Sequence, residues 1–241
     1  MDGVSLITSG FVNGSAKPYI NWFFKRAPGF FDEVCYTGNG ASYQTLNHNL
    51  GVPPQLFICK SRSAASTNWV VTGEGVGLTV AIGFLNSTVA FDSAGTYENG
   101  YLAAAGAPAG EFYAGFGTTN NNNANASATT YVAYLFATLA GISKVGSYTG
   151  NGTGQAIACG FSAGARFVLI KRTDAAGAWY TFDSARGLTV GSSPYLLLNS
   201  AAAEVTGNNG VYASTGGFTL GATAITTTNI ATATYIFLAV A

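Results

Sequence analysis

One short motif in the chain has the spacing of a catalytic nucleophile. Residues Gly160 to Gly164 match G-x-S-x-G, in which a serine is presented on a sharp turn between a strand and a helix. The segment that follows, Arg166 to Ile170, has the apolar composition of a strand. The only histidine, His48, comes before Ser162, whereas the hydrolases with this motif place it last. We therefore expect no nucleophilic role for Ser162.

A repeated tetrapeptide contains a second candidate for chemistry. Phe-Asp-Ser-Ala occurs at 91–94 and 182–185, so that Asp92 and Asp183 resemble the paired carboxylates of a glycoside hydrolase. The two segments lie 91 positions apart, whereas the longer repeats described below are offset by 110 to 113 positions. An aspartate beside a turn usually bonds to the nearby backbone. The chain is therefore predicted to have no catalytic residues and not to be an enzyme.

The cysteines and His48 predict neither a metal site nor a bound cofactor. Cys35, Cys59 and Cys159 stand in apolar, strand-like surroundings, and no CxxC or CxxH pair occurs. The second copy of the repeat has no histidine at the position of His48, which favours a structural hydrogen-bonding role. Cysteines without a pairing pattern also indicate folding in a reducing cytosol.

A tandem duplication organises the chain. Tyr36 to Gly40 returns unchanged as Tyr148 to Gly152, an offset of 112 positions. Nearly the same offset links two apolar segments and two tryptophans, namely Leu56 to Lys60 with Phe167 to Lys171 at 111 positions, and Trp69 with Trp179 at 110 positions. A repeat of this length is a whole domain rather than a solenoid rung. We predict a first repeat over residues 31–140 and a second over 141–241.

A third, partial copy precedes the two full ones. Tyr19 to Phe24 resembles Tyr131 to Phe136, and Gly3 to Leu6 resembles Gly217 to Leu220. Residues 1–30 are thus predicted to form a surplus N-terminal strand pair, which must either cap the first domain or pair with another chain, because unpaired strand edges are sticky. Its aromatic residues Trp22, Phe23 and Phe24 are the candidate interface.

The composition predicts a protein that functions inside an assembly. Only 8% of the residues are charged and the net charge is zero, against about 25% charged residues in an ordinary soluble domain. Such a surface is poorly protected against association, and we expect a homo-oligomer. The alternative is a monomer kept soluble by Thr, Ser and Asn. Dispersed Lys and Arg argue against nucleic acid, and no apolar run is long enough to insert into a membrane.

The local patterns predict an all-β protein. The chain has 32 glycines, and between them lie short segments rich in Val, Ile, Phe and Tyr. Continuous apolar runs such as Leu56 to Cys59 and Tyr235 to Val240 are typical of strands covered on both faces. Asn39-Gly40 and Asn151-Gly152 predict two-residue type I′ turns. The expected architecture is two tandem, duplicated β-sandwich-like domains in series.

Trp69 and Trp179 occupy equivalent positions after polar loops and are candidates for stacking against a sugar. The competing interpretation is a half-buried tryptophan that anchors the base of the loop, and the general burial of tryptophan favours it.

Two groups of segments carry a resemblance to a known family. Phe24 to Asp32, Tyr36 to Gly40 and His48 to Pro53 in the first copy, with Ser143 to Gly152 and Phe167 to Asp174 in the second, resemble tandem β-domains of tailed-bacteriophage virion proteins. The resemblance covers nearly the whole chain. In that family such domains often end long tail or fibre proteins, and no catalytic residue set is established for them. This chain departs from the pattern by its shortness and by an altered middle, Val80 to Asn125.

The resemblance implies a virion structural protein assembled in the host cytoplasm. We expect a tail or tail-fibre component that contributes to host attachment, with other virion proteins and a host surface glycan or receptor as partners. The first alternative is a capsid decoration protein that clamps the head through Trp22 to Phe24. The third class, a virion enzyme that degrades glycans, has the weakest support.

Overall fold

The computed structural model describes residues 6, 12–73, 81–92, 102–103, 110–115, 124–207, 210–222 and 226–241. Apart from one 3-10 turn at Thr226–Thr228, every regular element in these residues is a strand, so the predicted all-β class is confirmed. In chain order the strands are β1 Phe31–Thr37, β2 Tyr43–Asn47, β3 Leu56–Ser61, β4 Val70–Gly73, β5 Ile82–Phe84, β6 Leu102–Ala103, β7 Glu111–Gly115, β8 Thr130–Phe136, β9 Ser143–Thr149, β10 Gln155–Ala158, β11 Phe167–Arg172, β12 Trp179–Asp183, β13 Leu196–Leu197, β14 Val211–Ser214, β15 Gly217–Leu220 and β16 Thr234–Val240.

Both halves of the chain have the same strand order. The first half has a five-stranded sheet ordered β1-β8-β3-β4-β5 and a three-stranded sheet ordered β2-β7-β6. The second half repeats this order with β9-β16-β11-β12-β13 and β10-β15-β14. All the strand pairs within these sheets are antiparallel. The repeat in the sequence therefore corresponds to a repeat of topology.

The four sheets stack in layers with three cores between them. One core lies between the five- and three-stranded sheets of the first half, a second lies in the same place in the second half, and the third lies between the two five-stranded sheets. The five-stranded sheets are thus covered on both faces. In β3, Phe57 points into the first core while Ile58 points into the shared one. This arrangement confirms the prediction from the continuous apolar runs, and it shows two sandwiches that share a core instead of standing apart in series.

The predicted type I′ turns at the Asn-Gly pairs are wrong. Gly40 and Gly152 have positive φ angles of 74° and 72°, but Asn39 and Asn151 do not have positive φ. No hairpin forms there, because β1 pairs with β8 while β2 pairs with β7 in the other sheet. The Asn-Gly loop therefore carries the chain from one layer to the next.

A second asparagine holds this crossover loop in place. The Asn125 side chain accepts from the Asn39 backbone N–H at 3.0 Å and donates to Asn39 Oδ1 at 2.8 Å and to the Ala41 carbonyl at 2.9 Å. In the second half, Asn229 makes the same three bonds to Asn151 and Thr153. We call this arrangement the asparagine bridge. Asn125 and Asn229 are not among the residues predicted from the sequence, although each stands six residues before the first tyrosine of a matched terminal strand.

The tyrosines of the duplicated motif close the same loop from the core side. Tyr36 donates its hydroxyl to the Ala124 carbonyl at 2.6 Å, and Tyr148 donates to Thr228 at 2.7 Å. Each ring stacks on the first tyrosine of the neighbouring strand, Tyr131 or Tyr235. The Tyr-Thr-Gly-Asn-Gly repeat is therefore a structural motif that joins the two sheets of each sandwich.

The N-terminal segment differs from its prediction. Residues 12–26 form turns and extended chain without a strand, and residues 1–5 and 7–11 lie outside the described part. Tyr19 to Phe24 resembles β8, but the place between β1 and β3 is already taken by β8 itself. The predicted strand pair is therefore not found in the described residues of this segment.

Candidate interaction site

Trp22 is anchored on the second half of its own chain. Its indole N–H donates to Asp183 Oδ2 at 3.0 Å, and its ring meets Phe167 edge-on with centroids 6.0 Å apart. The Arg186 guanidinium lies 5.8 Å from the centre of the same ring. These contacts occupy the side chain that was predicted to face another subunit.

Phe24 lies where the two halves meet. Its ring centroid is 5.7 Å from that of Phe31, 5.5 Å from that of Phe136 and 5.5 Å from that of Phe167. Phe31 and Phe136 belong to the first five-stranded sheet, and Phe167 belongs to the second. The segment that contains Trp22 and Phe24 thus covers the junction of its own two halves.

Phe23 stands between these two anchored rings and is 70% exposed. Because Trp22 and Phe24 hold the backbone on either side, Phe23 presents its ring to solvent from a fixed position. Of the three predicted interface residues, Phe23 is therefore the one that remains available to a partner.

Trp69 and Trp179 have different surroundings despite their equivalent positions. Trp179 is 1% exposed, and its indole N–H donates to the Phe84 carbonyl of the first half at 2.8 Å. A ring so deeply buried cannot stack against a sugar, so this part of the prediction is corrected. Trp69 is half-buried, lies parallel to Tyr134 at 6.4 Å and has the Lys60 ammonium 6.0 Å from its centre. A ligand-stacking role for Trp69 remains a prediction.

Lys171 lies beside Trp179 and is fully buried. Its ammonium donates to three carbonyl oxygens, those of Gly177 at 2.8 Å, Val89 at 2.9 Å and Thr88 at 3.3 Å. Burial, reinforced by the Arg172 cation, lowers the pKa of Lys171 to about 8. Three carbonyls match the three donors of an ammonium group, which satisfies the buried charge without a carboxylate.

A loop of the first half thus docks onto the second half. We name residues 84–92 the docking loop. Lys171 and Trp179, which donate hydrogen bonds to it, are named the donor pair. Two backbone bonds extend the contact, from Gly177 N to Thr88 O at 2.8 Å and from Phe91 N to Thr173 O at 3.0 Å. The Phe91 ring also packs on Trp179, with centroids 6.1 Å apart. This contact was not predicted from the sequence, because most of its acceptors are backbone carbonyls, which every residue type has.

The two aspartates of the repeated tetrapeptide have different roles. Asp183 forms a buried ion pair with Arg186 at 2.7 Å and accepts from the Arg186 backbone N–H and from Trp22. Asp92 instead lines an open cleft of about 500 Å³ beside the docking loop, together with Asn68, Ile82, Phe84, Ser87, Val89, Ala90 and Phe91. Asp183 does not line this cleft, so the structure does not bring the pair together there.

Ser162 and His48 belong to different halves of the chain. Ser162 is exposed in a bend, and strand β11 follows it where the hydrolase motif requires a helix. His48 is 7% exposed, accepts from the Leu50 backbone N–H at 3.1 Å, and has its pKa lowered by burial. A buried, turn-binding imidazole fits the structural role predicted for it.

The described residues contain neither a cluster of metal ligands nor a helix that could span a membrane. Within them, no group of three or more His, Cys, Asp or Glu side chains is placed to hold a metal ion. Cys35, Cys59 and Cys159 are free, with Cys35 exposed and the other two buried. No helix found in this part of the chain has the length and apolar character needed to span a membrane.

Comparisons with known proteins give a family and no activity. No curated protein matches the chain, and no solved structure matches it either. One family model matches residues 1–241, which is the full sequence. The chain therefore belongs to the family described as domain of unknown function DUF7483.

Proposed function

We propose that this protein is a non-enzymatic structural component of a bacteriophage virion, located in the tail or a tail fibre and contributing to host attachment. The resemblance of its duplicated segments to tandem β-domains of virion proteins supports the location. The observation that carries an assembly role is the 70% exposed ring of Phe23, held between the anchored side chains of Trp22 and Phe24.

The use of charge within the fold supports the same proposal. Arg26 pairs with the buried Asp32 at 2.5 Å, Arg186 with Asp183 at 2.7 Å, and Arg172 with Asp174 at 2.8 Å. Since only 8% of the chain is charged, these three pairs already involve six of its 20 charged residues. A surface of this kind suits a protein whose neighbours cover it.

Reconstruction of intact phage particles tests the location. Density for the four-layered body on the tail or its fibres is the expected result. Density on the capsid shell would contradict the tail location and make the chain a decoration protein. Absence of the chain from purified particles would contradict a virion role altogether.

A pair of matched variants tests the part played by Phe23. Phe23→Ala removes the exposed ring, whereas Val190→Ala removes an apolar side chain of similar exposure, 71%, from the second half. We expect Phe23→Ala to lower incorporation into particles and Val190→Ala to leave it unchanged, with both variants folded by circular dichroism. Equal incorporation of the two variants would contradict the interface role of Phe23.

A further inference from the structure

The contact between the halves is built from two parts, and each part occurs a second time in the chain. The first copy of the loop, residues 84–92, is docked on the second copy of the donor pair, Lys171 and Trp179. In the described residues, the second copy of the loop and the first copy of the donor pair do not bind each other. The sequence places them at residues 197–205 and at Lys60 with Trp69.

Residues 197–205 have the hydrogen bonds of the docking loop. Leu198 N donates to Trp179 O at 3.1 Å as Leu85 N donates to Trp69 O at 3.0 Å, and Ser200 N donates to Leu197 O at 3.2 Å as Ser87 N donates to Phe84 O at 3.1 Å. Asn199 accepts from Trp179 N at 2.7 Å as Asn86 accepts from Trp69 N at 2.9 Å. The bridge between Tyr195 and Val205 matches the one between Ile82 and Asp92. We name residues 197–205 the second docking loop.

The second docking loop contains exposed counterparts of the two residues that accept from Lys171. Thr88 and Val89, which accept from Lys171, correspond to Ala201 and Ala202 at an offset of 113 positions. Ala201 and Ala202 are both exposed. The loop thus offers the same acceptors, in the same local conformation, on the outer surface of the second half.

Lys60 and Trp69 form the first copy of the donor pair, and only some of their donors have acceptors among the described residues. Lys60 donates to the Thr67 carbonyl, as Lys171 donates to the equivalent Gly177, and its other bond goes to Thr67 Oγ1 at 2.9 Å. No acceptor in the described residues receives the Trp69 indole N–H, whereas that of Trp179 binds Phe84. Trp69 is half-buried where Trp179 is 1% exposed. Among the described residues, no loop binds the Trp69 indole as the docking loop binds that of Trp179.

We propose that copies of this chain associate head to tail, with the second docking loop of one copy bound at Lys60 and Trp69 of the next. The Trp69 indole would donate to Leu197 O, and the Lys60 ammonium would donate to the carbonyls of Ala201 and Ala202. Because different surfaces meet, the contact is heterologous and continues into a ring or a filament. It goes beyond the proposed function and holds whether or not the chain is located in a virion.

One substitution between the two loops favours a contact between separate molecules. Phe91, which packs on Trp179, corresponds to Glu204, and Thr173, whose carbonyl Phe91 binds, corresponds to Arg62. Where the internal contact joins Phe91 and Thr173 through their backbones, the contact between copies would bring the opposite charges of Glu204 and Arg62 near each other. Arg62 is exposed, and Glu204 contacts only Arg186 among the described residues, at 3.2 Å. Charge pairs of this kind select a partner and make its binding sensitive to salt.

Site-directed cross-linking tests the proposal on the full chain. In the internal contact, Gly177 N and Thr88 O are 2.8 Å apart, and these residues correspond to Thr67 and Ala201. Backbones this close can accept a disulfide. In a Cys35→Ser background, we expect Thr67→Cys and Ala201→Cys to form a covalent dimer only when the two variants are mixed. The double variant should form a ladder of larger species.

Sedimentation velocity of the unmodified chain provides a second readout. We expect the mean mass to rise with concentration, and Lys60→Met with Trp69→Phe to weaken association by roughly tenfold or more. Lys25→Met, which changes an exposed lysine elsewhere, is the control and should have no effect. A chain that stays monomeric at all concentrations would overturn the proposal. Cross-linking of Thr67→Cys with itself, without Ala201→Cys, would also overturn it, because that contact is isologous.

Discussion

The Lys171 ammonium lies 2.9 Å from the carbonyl oxygen of Val89, a residue of the other half of the chain. Together with the bonds to Thr88 and Gly177, this contact buries a full positive charge among backbone dipoles. The two sandwiches are therefore joined by the hydrogen bonds of Lys171 as well as by their shared apolar core. Substitutions at Lys171 should show how much these hydrogen bonds contribute to the stability of the protein.

Replacement of Lys171 by methionine should destabilise the protein. The variant keeps the apolar stem but leaves three carbonyls without their donor, and the loss of such a bond costs about 1–3 kcal/mol. We expect the free energy of unfolding in urea to fall by at least that amount. Lys60→Met is the matched control and should cost less, because Lys60 is half-buried and, among the described residues of its own chain, donates to Thr67 alone. Equal losses of unfolding free energy for the two variants would contradict a stabilising role for the hydrogen bonds of Lys171.

The stability contributed by Lys171 should depend on pH in a defined direction. Its folded pKa of about 8 lies below that of an unfolded lysine, about 10.4. Between these values the unfolded chain binds more protons, so this group makes the folded state more stable as pH rises through the window.

The difference between wild type and Lys171→Met isolates this effect. Burial raises the pKa of Cys59 to about 12 and that of Cys159 to about 11, and these thiols act in the opposite direction above pH 9. We expect the unfolding free energy of wild type to rise relative to Lys171→Met between pH 7 and pH 10. A difference that stays constant or shrinks would show that the folded pKa is not lowered.

The asparagine bridge should contribute to stability in each half. Asn125→Ala removes three hydrogen bonds and leaves Asn39 and Ala41 with unpaired groups, which predicts a loss of about 1–3 kcal/mol in urea unfolding. Asn125→Asp, which keeps the acceptor but loses both donors, should fall in between. Asn47→Ala, at an exposed position of β2, is the control and should change little. A neutral Asn125→Ala would show that solvent replaces the bridge.

Two glycines in the repeated motif should not tolerate a side chain. A Cβ atom at Gly38 would lie 2.3 Å from Ala126 O, and one at Gly150 would lie 2.2 Å from Ile230 O. Both obstacles are backbone atoms, so alanine at either position must move the crossover loop, at a cost of about 1–3 kcal/mol or more. Gly154→Ala, whose nearest contact would be 3.9 Å away, is the control. Thermal unfolding that does not separate Gly38→Ala from Gly154→Ala would contradict this close approach.

Local patterns were sufficient for some features of the fold and insufficient for others. The uninterrupted apolar run of β11 predicted a strand covered on both faces, since each alternate side chain needed an apolar environment. The Asn39-Gly40 pair predicted a hairpin, and that prediction was wrong. Its conformation depends on Asn125, which stands 86 positions away. A turn rule that considers four neighbouring residues cannot include such a partner.

The candidate site, too, was predictable from the sequence only in part. Trp22, Phe23 and Phe24 were identified from their aromatic character, but only their packing separates two anchors from one exposed ring. Trp69 and Trp179 are indistinguishable in the sequence, and one of them is buried because a loop of the other half covers it.

The sequence by itself determined the all-β class, the duplication and the strands that are buried on both faces, because these depend on side-chain type and on periodicity along the chain. Only the tertiary structure decided how the two halves share a core, which copy of each duplicated contact is occupied and which remains open. These features depend on contacts between residues far apart in the chain, such as the Lys171 ammonium and the Val89 backbone carbonyl, which are separated by 82 positions. Backbone carbonyls are the same in every residue, so no local pattern identifies the ones that will be used.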